Sequence, residues 1–303
     1  MDDTDGAEVR SPQGHEATRA ALAADLHVPP GTSPLSPGLL QANAANQVVA
    51  SRGRETVGHC VFVPSAGRCA VVLPPRLRDW DPALAARLIR GAVAQARGVA
   101  RLIQCFTEPD GAGALAEALG RAGLERLAVL IYMRRAVGPG DAHLAPGPDL
   151  VWRHYSAFRH RLFVRAIRQT YDNSLDCPGL AGLRTVDDVL ATHKHTGSFM
   201  PRAWHVALAD REPVGVELVN NLEGRGELVY LGVSAAARAR GLGKVLLSRA
   251  IRDTAAMGLP KMGLAVDAGN EPALRLYRRM GFQELRRRLA WFVPAERLGE
   301  FVL

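Results

Sequence analysis

The fold of this chain is decided by the stretch Arg238-Ala239-Arg240-Gly241-Leu242-Gly243. It follows an apolar run, Leu228 to Val233, and precedes an apolar-periodic segment that begins at Lys244. This order predicts a strand, a glycine turn and a helix. The N–H groups in the first turn of a helix have no partner within the helix, and glycines let an anion approach them closely. The turn is therefore predicted to bind the pyrophosphate of a nucleotide-like cofactor.

Two common phosphate-binding motifs fit this stretch poorly. A dinucleotide fingerprint needs a glycine where Arg238 stands, followed by an acidic residue at a strand end, and Arg252-Asp253 does not supply one. A Walker loop needs Ser or Thr after its Gly-Lys pair, and Val245 follows Gly243-Lys244. A different cofactor is therefore expected.

A second segment identifies the resemblance. Lys261 to Asp267 is predicted to be a strand, and it is followed by Asn270-Glu271-Pro272-Ala273-Leu274-Arg275-Leu276-Tyr277-Arg278-Arg279-Met280-Gly281-Phe282. The pattern R-x-x-G-x-G of the first stretch resembles motif A of the GNAT superfamily of acyl-CoA-dependent N-acyltransferases, and the second segment resembles motif B. Together the two motifs place the resemblance over residues 155–295.

The resemblance implies how the cofactor binds. In this superfamily the amides of motif A hold the pyrophosphate of coenzyme A, and a strand splays from its neighbour, so that its free backbone groups bind the pantetheine arm. The expected donor is acetyl-CoA, with no metal. The residues predicted to bind it are Leu231, Gly232, Val233, Arg238, Arg240, Gly241, Leu242, Gly243, Lys244 and Asn270.

The resemblance also implies two catalytic residues. Tyr277 is expected to be the general acid, since the pKa of a phenol lies close to that of the departing thiol. Glu227 is the predicted general base, six residues before Val233, and strand alternation predicts that it shares a face with Val229, Leu231 and Val233. The competing candidate is Glu217, a charged residue in an otherwise apolar strand.

The N-terminal half repeats the order of elements seen in the C-terminal half. The predicted strand, helix, strand, helix and Gly-apolar pair run from Leu73 to Gly123, as they do from Val233 to Gly281. However, residues 76–81 replace the glycine turn, and Leu119 stands where the second copy has Tyr277. The first copy therefore resembles a degenerate GNAT domain, an arrangement found in tandem members of the superfamily such as the mycothiol synthases.

The predicted fold class is α/β (α+β), with two tandem GNAT-like domains, each a mixed, mostly antiparallel sheet flanked by helices. The degenerate domain is predicted over residues 1–137, with 1–12 disordered. The Pro/Gly-rich segment 138–150 is predicted to be a linker, and the catalytic domain covers 151–303.

Composition narrows the class of protein further. The net charge of +8 raises nucleic-acid binding as a candidate, yet lysine occurs only three times, and the arginine bias is more simply explained by a GC-rich coding sequence. The four cysteines lack metal-ligand spacing. The acidic N-terminus and the short apolar runs predict no signal peptide and no membrane span, and hence a cytoplasmic location.

The expected activity is acetyl transfer from acetyl-CoA to a primary amine of a small molecule or a peptide. The loop Asp172 to Gly179 is expected to contribute to acceptor specificity. Its Asp172 and Asp176 are candidates to attract an amine cation, although Asp and Asn residues also favour turns. The alternative from another class is a non-catalytic module that senses acyl-CoA or binds a partner. The identity of the acceptor and the oligomeric state are left open by the sequence.

Overall fold

The computed structural model describes residues 6–13, 16–23, 25–29, 39–40, 43–109, 113–143 and 150–301 of the 303-residue chain. The α-helices in this part of the chain are α1 (Glu16–Leu22), α2 (Pro82–Ala96), α3 (Gly113–Ala122), α4 (His160–Tyr171), α5 (Val186–Lys194), α6 (Leu242–Ala256) and α7 (Glu271–Arg279). The strands are β1 (Glu8–Arg10), β2 (Gln47–Arg52), β3 (Glu55–Ser65), β4 (Cys69–Val72), β5 (Arg76–Leu77), β6 (Leu102–Thr107), β7 (Glu125–Ala136), β8 (Val151–His154), β9 (Trp204–Ala209), β10 (Glu212–Leu222), β11 (Arg225–Val233), β12 (Lys261–Asp267) and β13 (Gln283–Phe292).

The chain forms two compact units that do not coincide with the two sequence repeats. The first unit contains residues 1–128 and 288–303, and the second contains residues 129–287. The sequence instead predicts domains at 1–137 and 151–303, separated by a linker. The difference arises because β7 and β13, the last strand of each repeat, run from one unit into the other. That residues 1–137 and 151–303 each fold as a separate domain stays a prediction.

The first unit is built around one mixed sheet. Its strands β1, β2, β3 and β4 pair antiparallel in succession, β4 pairs parallel with β6, and residues 289–292 of β13 close the order antiparallel to β6. Helices α2 and α3 pack on this sheet, and Trp291, Val293 and Phe301 from the end of the chain are part of the core. The end of the chain therefore completes the core of the first unit.

At the edges of the first domain the structure corrects one prediction and adds detail to another. Residues 1–12 were predicted to be disordered, yet Glu8–Arg10 forms β1 and pairs with Val49 to Ser51, while residues 1–5 lie outside the described part. The short hydrogen-bonded strand overrides the polar composition. In the predicted linker, Pro139–His143 forms a short 3-10 helix, and residues 144–149 lie outside the described part.

The second unit has a sheet in the order β8, β9, β10, β11, β12 and β7. Only the β11–β12 pairing is parallel, because α6 makes the crossover between them, and the other pairings are antiparallel. Helices α6 and α7 pack against one apolar cluster, and α4 and α5 pack against another. This mixed, mostly antiparallel sheet with flanking helices confirms the predicted fold class.

The internal repeat is visible in the order of elements. The succession β4, α2, β6, α3, β7 in the first repeat matches β11, α6, β12, α7, β13 in the second, and both contain a parallel pair of strands around the longest helix. Gly123 and Gly281, which follow the last helix of each repeat, have φ values of 96° and 83°. Glycine is needed at both positions because residues that carry a Cβ rarely adopt a positive φ.

Helix starts follow the local sequence. The side chain of Asp81 accepts a hydrogen bond from Ala83 N before Pro82 opens α2, and Thr185 and Asp188 form a reciprocal capping box at α5. None of the helices in the described residues is long and apolar enough to span a membrane.

We expect the fragment 129–287 to unfold at a higher temperature than the fragment 138–287. Without β7, the shorter fragment loses the antiparallel partner of β12 and the buried side chains of Ile131 and Met133. Losing one buried aliphatic side chain typically costs about 2–5 kcal/mol. Thermal melts followed by circular dichroism measure the difference, and equal melting temperatures would show that β7 contributes nothing to the second unit.

Candidate functional site

The site begins where β11 separates from its parallel neighbour. The β11–β12 pairing covers only Gly226 to Leu228, opposite Met262 to Leu264. Further along, residues 230–233 of β11 remain paired with β10 on their other side. The splay expected from the resemblance is therefore present, and it leaves one edge of β11 facing a gap.

The glycine turn continues from this edge into α6. Gly241 is the N-terminal cap of α6 with a φ of 78°, and a Cβ placed on it would have no atom within 4 Å. Within the described residues, the N–H groups of residues 239–243 donate to no acceptor. Because the N-terminal end of a helix also carries partial positive charge, these amides can bind an anion.

A first cavity of about 490 Å³ lies between this turn, the free edge of β11 and the start of α7. Its volume is within the range of small-molecule sites, roughly 300–1,000 Å³. The residues that line it are Thr170, Tyr171, Asn173, Ser174, Leu175, Asp176, Tyr230, Leu231, Gly232, Val233, Ala237, Arg238, Ala239, Gly241, Leu242, Gly243, Asn270, Pro272, Ala273 and Leu276.

Most of the residues predicted to bind the cofactor meet at this cavity. Two do not line it: Arg240 and Lys244 are exposed beside the turn. Asn270 has a further role, since its Oδ1 accepts a hydrogen bond from Ala273 N and caps α7. The predicted residues that line the first cavity are Leu231, Gly232, Val233, Arg238, Gly241, Leu242, Gly243 and Asn270.

The guanidinium of Arg238 is bound to main-chain oxygens. It donates hydrogen bonds to Thr170 O at 2.9 Å, Asn173 O at 3.0 Å and Val233 O at 3.3 Å. These carbonyls belong to the end of α4, to the loop after it and to the end of β11. Arg238 thus ties together the walls on either side of the first cavity, a contact that the glycine motif alone does not predict.

The β11 wall packs closely against α4. A Cβ on Gly232 would lie 2.7 Å from Thr170 Cβ, so a larger residue would displace the helix. The Thr170 hydroxyl donates to Ile167 O at 2.7 Å, and the Tyr230 hydroxyl therefore donates to Thr170 Oγ1 at 2.6 Å. Glycine at position 232 is thus explained by packing as well as by access to the main chain.

Tyr277 is buried on α7, one residue after Leu276 of the first cavity. Its ring contacts that of Phe282, with 5.8 Å between centroids. Burial raises the pKa of Tyr277 above its ordinary value, and the Asp176 carboxylate raises this pKa further. The phenol therefore stays protonated at neutral pH, as a general acid requires.

The face predicted for Glu227 is wrong, because a β-bulge at Val229 interrupts the alternation. Leu218 pairs with Tyr230 and the next residue, Val219, pairs with Leu228. As a result, Leu228 and Leu231 both pack against the cluster around α6. Glu227 lies on the opposite face of the sheet from Leu231.

The surroundings of Glu227 are basic. Arg225 Nε donates to its Oε2 at 3.2 Å, and a Cβ on Gly263 would lie 2.8 Å from the same oxygen. Desolvation raises the pKa of Glu227, while Arg225 and Arg134 act in the opposite direction. Glu227 is not among the residues that line the first cavity.

Glu217, the competing candidate, is fully buried in a polar cluster away from the cavity lining. Its Oε1 lies 2.8 Å from His205 Nδ1, and its Oε2 has no hydrogen-bond partner. Ligand atoms of His205, Glu217 and Asp253 lie within 4.8 Å of one another. However, the guanidinium of Arg249 already contacts His205 Nε2 at 3.1 Å and Asp253 at 3.3 Å. A cation therefore already balances this cluster.

A second cavity of about 460 Å³ adjoins the first. Its lining shares Tyr171, Asn173, Ser174, Asp176 and Tyr230 with the first cavity and adds Cys177, Pro178, Leu180, Ala181, Gly182, Arg184, Val186, Val189, His193 and Val229. Burial lowers the pKa of His193 to about 4, so that its imidazole is neutral at neutral pH. Much of the predicted specificity loop, Asp172 to Gly179, lies in these walls.

Sequence reasoning missed several lining residues. Thr170 and Tyr230 were not singled out, because each belongs to an apolar pattern that indicates only core packing. Asp176, in contrast, belongs to the predicted specificity loop, where the sequence indicates either attraction of an amine cation or a turn. Their proximity depends on how α4 packs across β11, which is long-range information.

Comparison with known families agrees with this geometry. Residues 169–282 match the family model described as Acetyltransferase (GNAT) family. These residues include the glycine turn, β11, β12 and Tyr277. The acetyltransferase family expected from the two motifs is therefore confirmed for this part of the chain.

Two relatives are mycothiol acetyltransferases. The one from Streptomyces avermitilis is 41% identical over 86 residues, which is 28% of this chain and 28% of the relative's own length. The one from Thermomonospora curvata is 28% identical over 268 residues, covering 88% of this chain and 79% of the relative. The more identical match is thus local, and the less identical one includes both repeats.

Two solved structures share the fold. A GCN5-related N-acetyltransferase from Sphaerobacter thermophilus has a TM-score of 0.57 at 17% identity and covers 96% of both chains. A tandem GNAT protein from the clavulanic acid biosynthesis pathway has a TM-score of 0.50 at 15% identity, covering 95% of this chain and 98% of that one. These structures confirm the tandem fold.

We expect Arg238→Lys and Arg238→Gln to weaken acetyl-CoA binding equally. A single ammonium cannot reach three carbonyls, so both variants lose the tie between α4 and β11, at a cost of about 2 kcal/mol or more in unfolding free energy. Thermal melts and isothermal titration with acetyl-CoA measure both effects. Affinity retained by Lys and lost by Gln would instead indicate that the positive charge acts directly on the phosphates.

Proposed function

We propose that this chain, in which residues 169–282 belong to the GNAT acetyltransferase family, transfers the acetyl group of acetyl-CoA directly to a primary amine. The observation that carries the proposal is the first cavity, where free amides at the start of α6 meet the open edge of β11. An anion and an extended amide-containing arm are the two groups that such a surface can bind. Acetyl-CoA contains both.

The proposed pose follows the chemistry of these walls. The pyrophosphate accepts hydrogen bonds from the amides of residues 240–243, and the pantetheine arm lies along Leu231 to Val233. A Cβ on Gly241 would meet open space, which supports close approach of a phosphate. Asn270 and the first turn of α7 then flank the thioester. All ten predicted cofactor residues, Arg240 and Lys244 included, stay within this proposal.

The proposed reaction is a direct displacement. The neutral amine attacks the thioester carbon, a C–N bond forms, and the C–S bond breaks as the tetrahedral intermediate collapses. Tyr277 donates its phenolic proton to the departing thiolate, and the resulting phenolate recovers a proton from the new amide nitrogen. Backbone N–H groups at the gap in β11 stabilise the oxyanion. The sequence predicts Glu227 as the base, but this residue lines neither cavity.

The acceptor is proposed to occupy the second cavity. A volume of about 460 Å³ and a shared wall with the first cavity support a small molecule. The relatives' name, mycothiol acetyltransferase, favours an acceptor of mycothiol-like chemistry over a peptide. The first repeat, with Arg76 to Asp81 in place of the glycine turn, is proposed to be a non-catalytic scaffold. A cytoplasmic location stays a prediction.

We expect acetyl-CoA to raise the melting temperature of the protein and Gly241→Glu to abolish this shift. The new carboxylate would occupy the open space beside the free amides and repel the pyrophosphate. Differential scanning fluorimetry with and without acetyl-CoA measures the effect.

Gly224→Glu is the matched control. Gly224 has a φ of 79° and open space around its Cβ position, as Gly241 does, but it does not line the first cavity. Both variants therefore carry the same backbone strain, and only Gly241→Glu should lose the shift. If the unaltered protein shows no shift at saturating acetyl-CoA, the assignment of the first cavity is wrong.

We expect Tyr277→Phe to lower kcat by about 100-fold or more while leaving the acetyl-CoA-induced melting shift unchanged. The ring and its packing on Phe282 are retained, and only the acidic proton is removed. Release of the coenzyme A thiol in the presence of an amine measures turnover. Unchanged turnover would remove Tyr277 from the acid role, and cofactor binding without any amine-dependent thiol release would favour an acyl-CoA sensor.

A further inference from the structure

Asp176 is shared by the first and second cavities. Among the described residues that line them, it is the one acidic side chain. Asp176 is exposed to solvent as a whole residue. Its carboxylate is nevertheless surrounded by protein atoms, and the resulting desolvation raises its pKa. A carboxylate at the junction of a donor cavity and an acceptor cavity is placed to meet an incoming amine.

Hydrogen bonds hold this carboxylate in position. Asp267 N donates to Asp176 Oδ1 at 3.3 Å, while Asp176 N donates to Ser174 Oγ at 3.2 Å. The next residue, Cys177, donates its N–H to Asp267 Oδ2 at 3.1 Å. The loop after α4 is thereby fixed to the end of β12, and within the described part of the chain Asp176 Oδ2 accepts no hydrogen bond.

The other groups that could take a proton are less suited. The carboxylate of Glu227 is paired with Arg225, and that of Glu217 is buried beside His205. Neither residue lines one of the two cavities. His193 lines the second cavity but not the first, so it lies farther from the proposed donor site than a residue that lines both. Asp176 combines the right place with a carboxylate whose basicity desolvation increases.

We propose that Asp176 is the proton acceptor that converts the acceptor ammonium into the neutral nucleophile. This inference rests on the proposed acetyl transfer and concerns its base. The ammonium enters the second cavity and transfers one proton to Asp176 Oδ2, leaving a lone pair on nitrogen that attacks the thioester carbon. Tyr277 protonates the sulfur and regains the second nitrogen proton, and Asp176 releases its proton to water. One proton leaves per turnover.

The electrostatic surroundings agree with this assignment. The Asp176 carboxylate raises the pKa of the Tyr277 phenol, which places the acid and the base within electrostatic reach of each other. The titratable and charged groups around Asp176 are Tyr171 on α4, Cys177 on its own loop, Tyr230 on β11, Asp267 on β12, Tyr277 on α7, and Arg184 and Arg238 nearby.

The test compares Asp176→Asn with the unaltered full-length protein, using acetyl-CoA and three amines: alanine amide, glucosamine and phenylethylamine. Asn keeps an oxygen that can accept from Asp267 N, so the loop anchor is retained. We expect kcat/KM at pH 7 to fall by about 100-fold or more, with the acetyl-CoA melting shift unchanged. For alanine amide, whose amine has a pKa of about 8, the loss of kcat/KM in Asp176→Asn should become smaller towards a pH of about 9.5, because the neutral amine then predominates.

Asp210→Asn is the matched control, since it removes the same charge from an exposed residue that lines neither cavity, and Asn tolerates the φ of 49° at this position. It should keep the pH profile of the unaltered protein. Activity of Asp176→Asn within about threefold of that protein, or a deficit that is constant with pH, overturns the assignment of Asp176. The assignment of Asp176 is also overturned if Glu227→Gln abolishes the decrease of kcat/KM at low pH while Asp176→Asn retains this decrease. No turnover of any amine by the unaltered protein overturns the proposed function itself.

Discussion

The structure of the site depends on one constraint: main-chain N–H groups at the start of α6 must remain unpaired while the chain around them stays fixed. A turn with free amides has few contacts of its own, so its position has to be set by neighbours. Arg238 does this by donating to three carbonyls, on α4, on the loop after α4 and on β11. Gly232 and Thr170 add close packing between the same elements. The second unit thus fixes the turn without using the amides that would bind a ligand.

The parts of the fold that depend on local chemistry could be predicted from the sequence. The turn at Gly241, the cap at Asn270 and the positive φ of Gly281 each follow from what a short stretch of chain can adopt. The repeat could be predicted for the same reason, because each copy encodes its order of elements locally. Eight of the ten predicted cofactor residues meet at one cavity, since they belong to two short motifs.

What could not be predicted depends on registers and contacts between distant segments. The bulge at Val229 shifts the β10–β11 register and moves Glu227 to the other face of the sheet, and no residue in that strand marks the irregularity. Asp176 belongs to the specificity loop predicted from the sequence, but its hydrogen bond with Asp267, 91 positions away, is a contact that the loop sequence does not encode. The passage of β7 and β13 between units is likewise absent from any local pattern, because a strand does not encode which sheet it joins.

The extension of β13 from the second unit into the first has a consequence for biosynthesis. The first unit needs residues 288–303, which leave the ribosome after the whole second unit, so its sheet cannot be closed while the second unit is being made. At elongation rates of about 5–20 residues per second, the 159 residues between Ala128 and Arg288 impose a delay of roughly ten to thirty seconds. During this interval the edge of β6 lacks the strand that carries Trp291. Nascent chains held close together on one messenger would then be exposed to mispairing at that edge, so translation speed and chaperone access become determinants of yield.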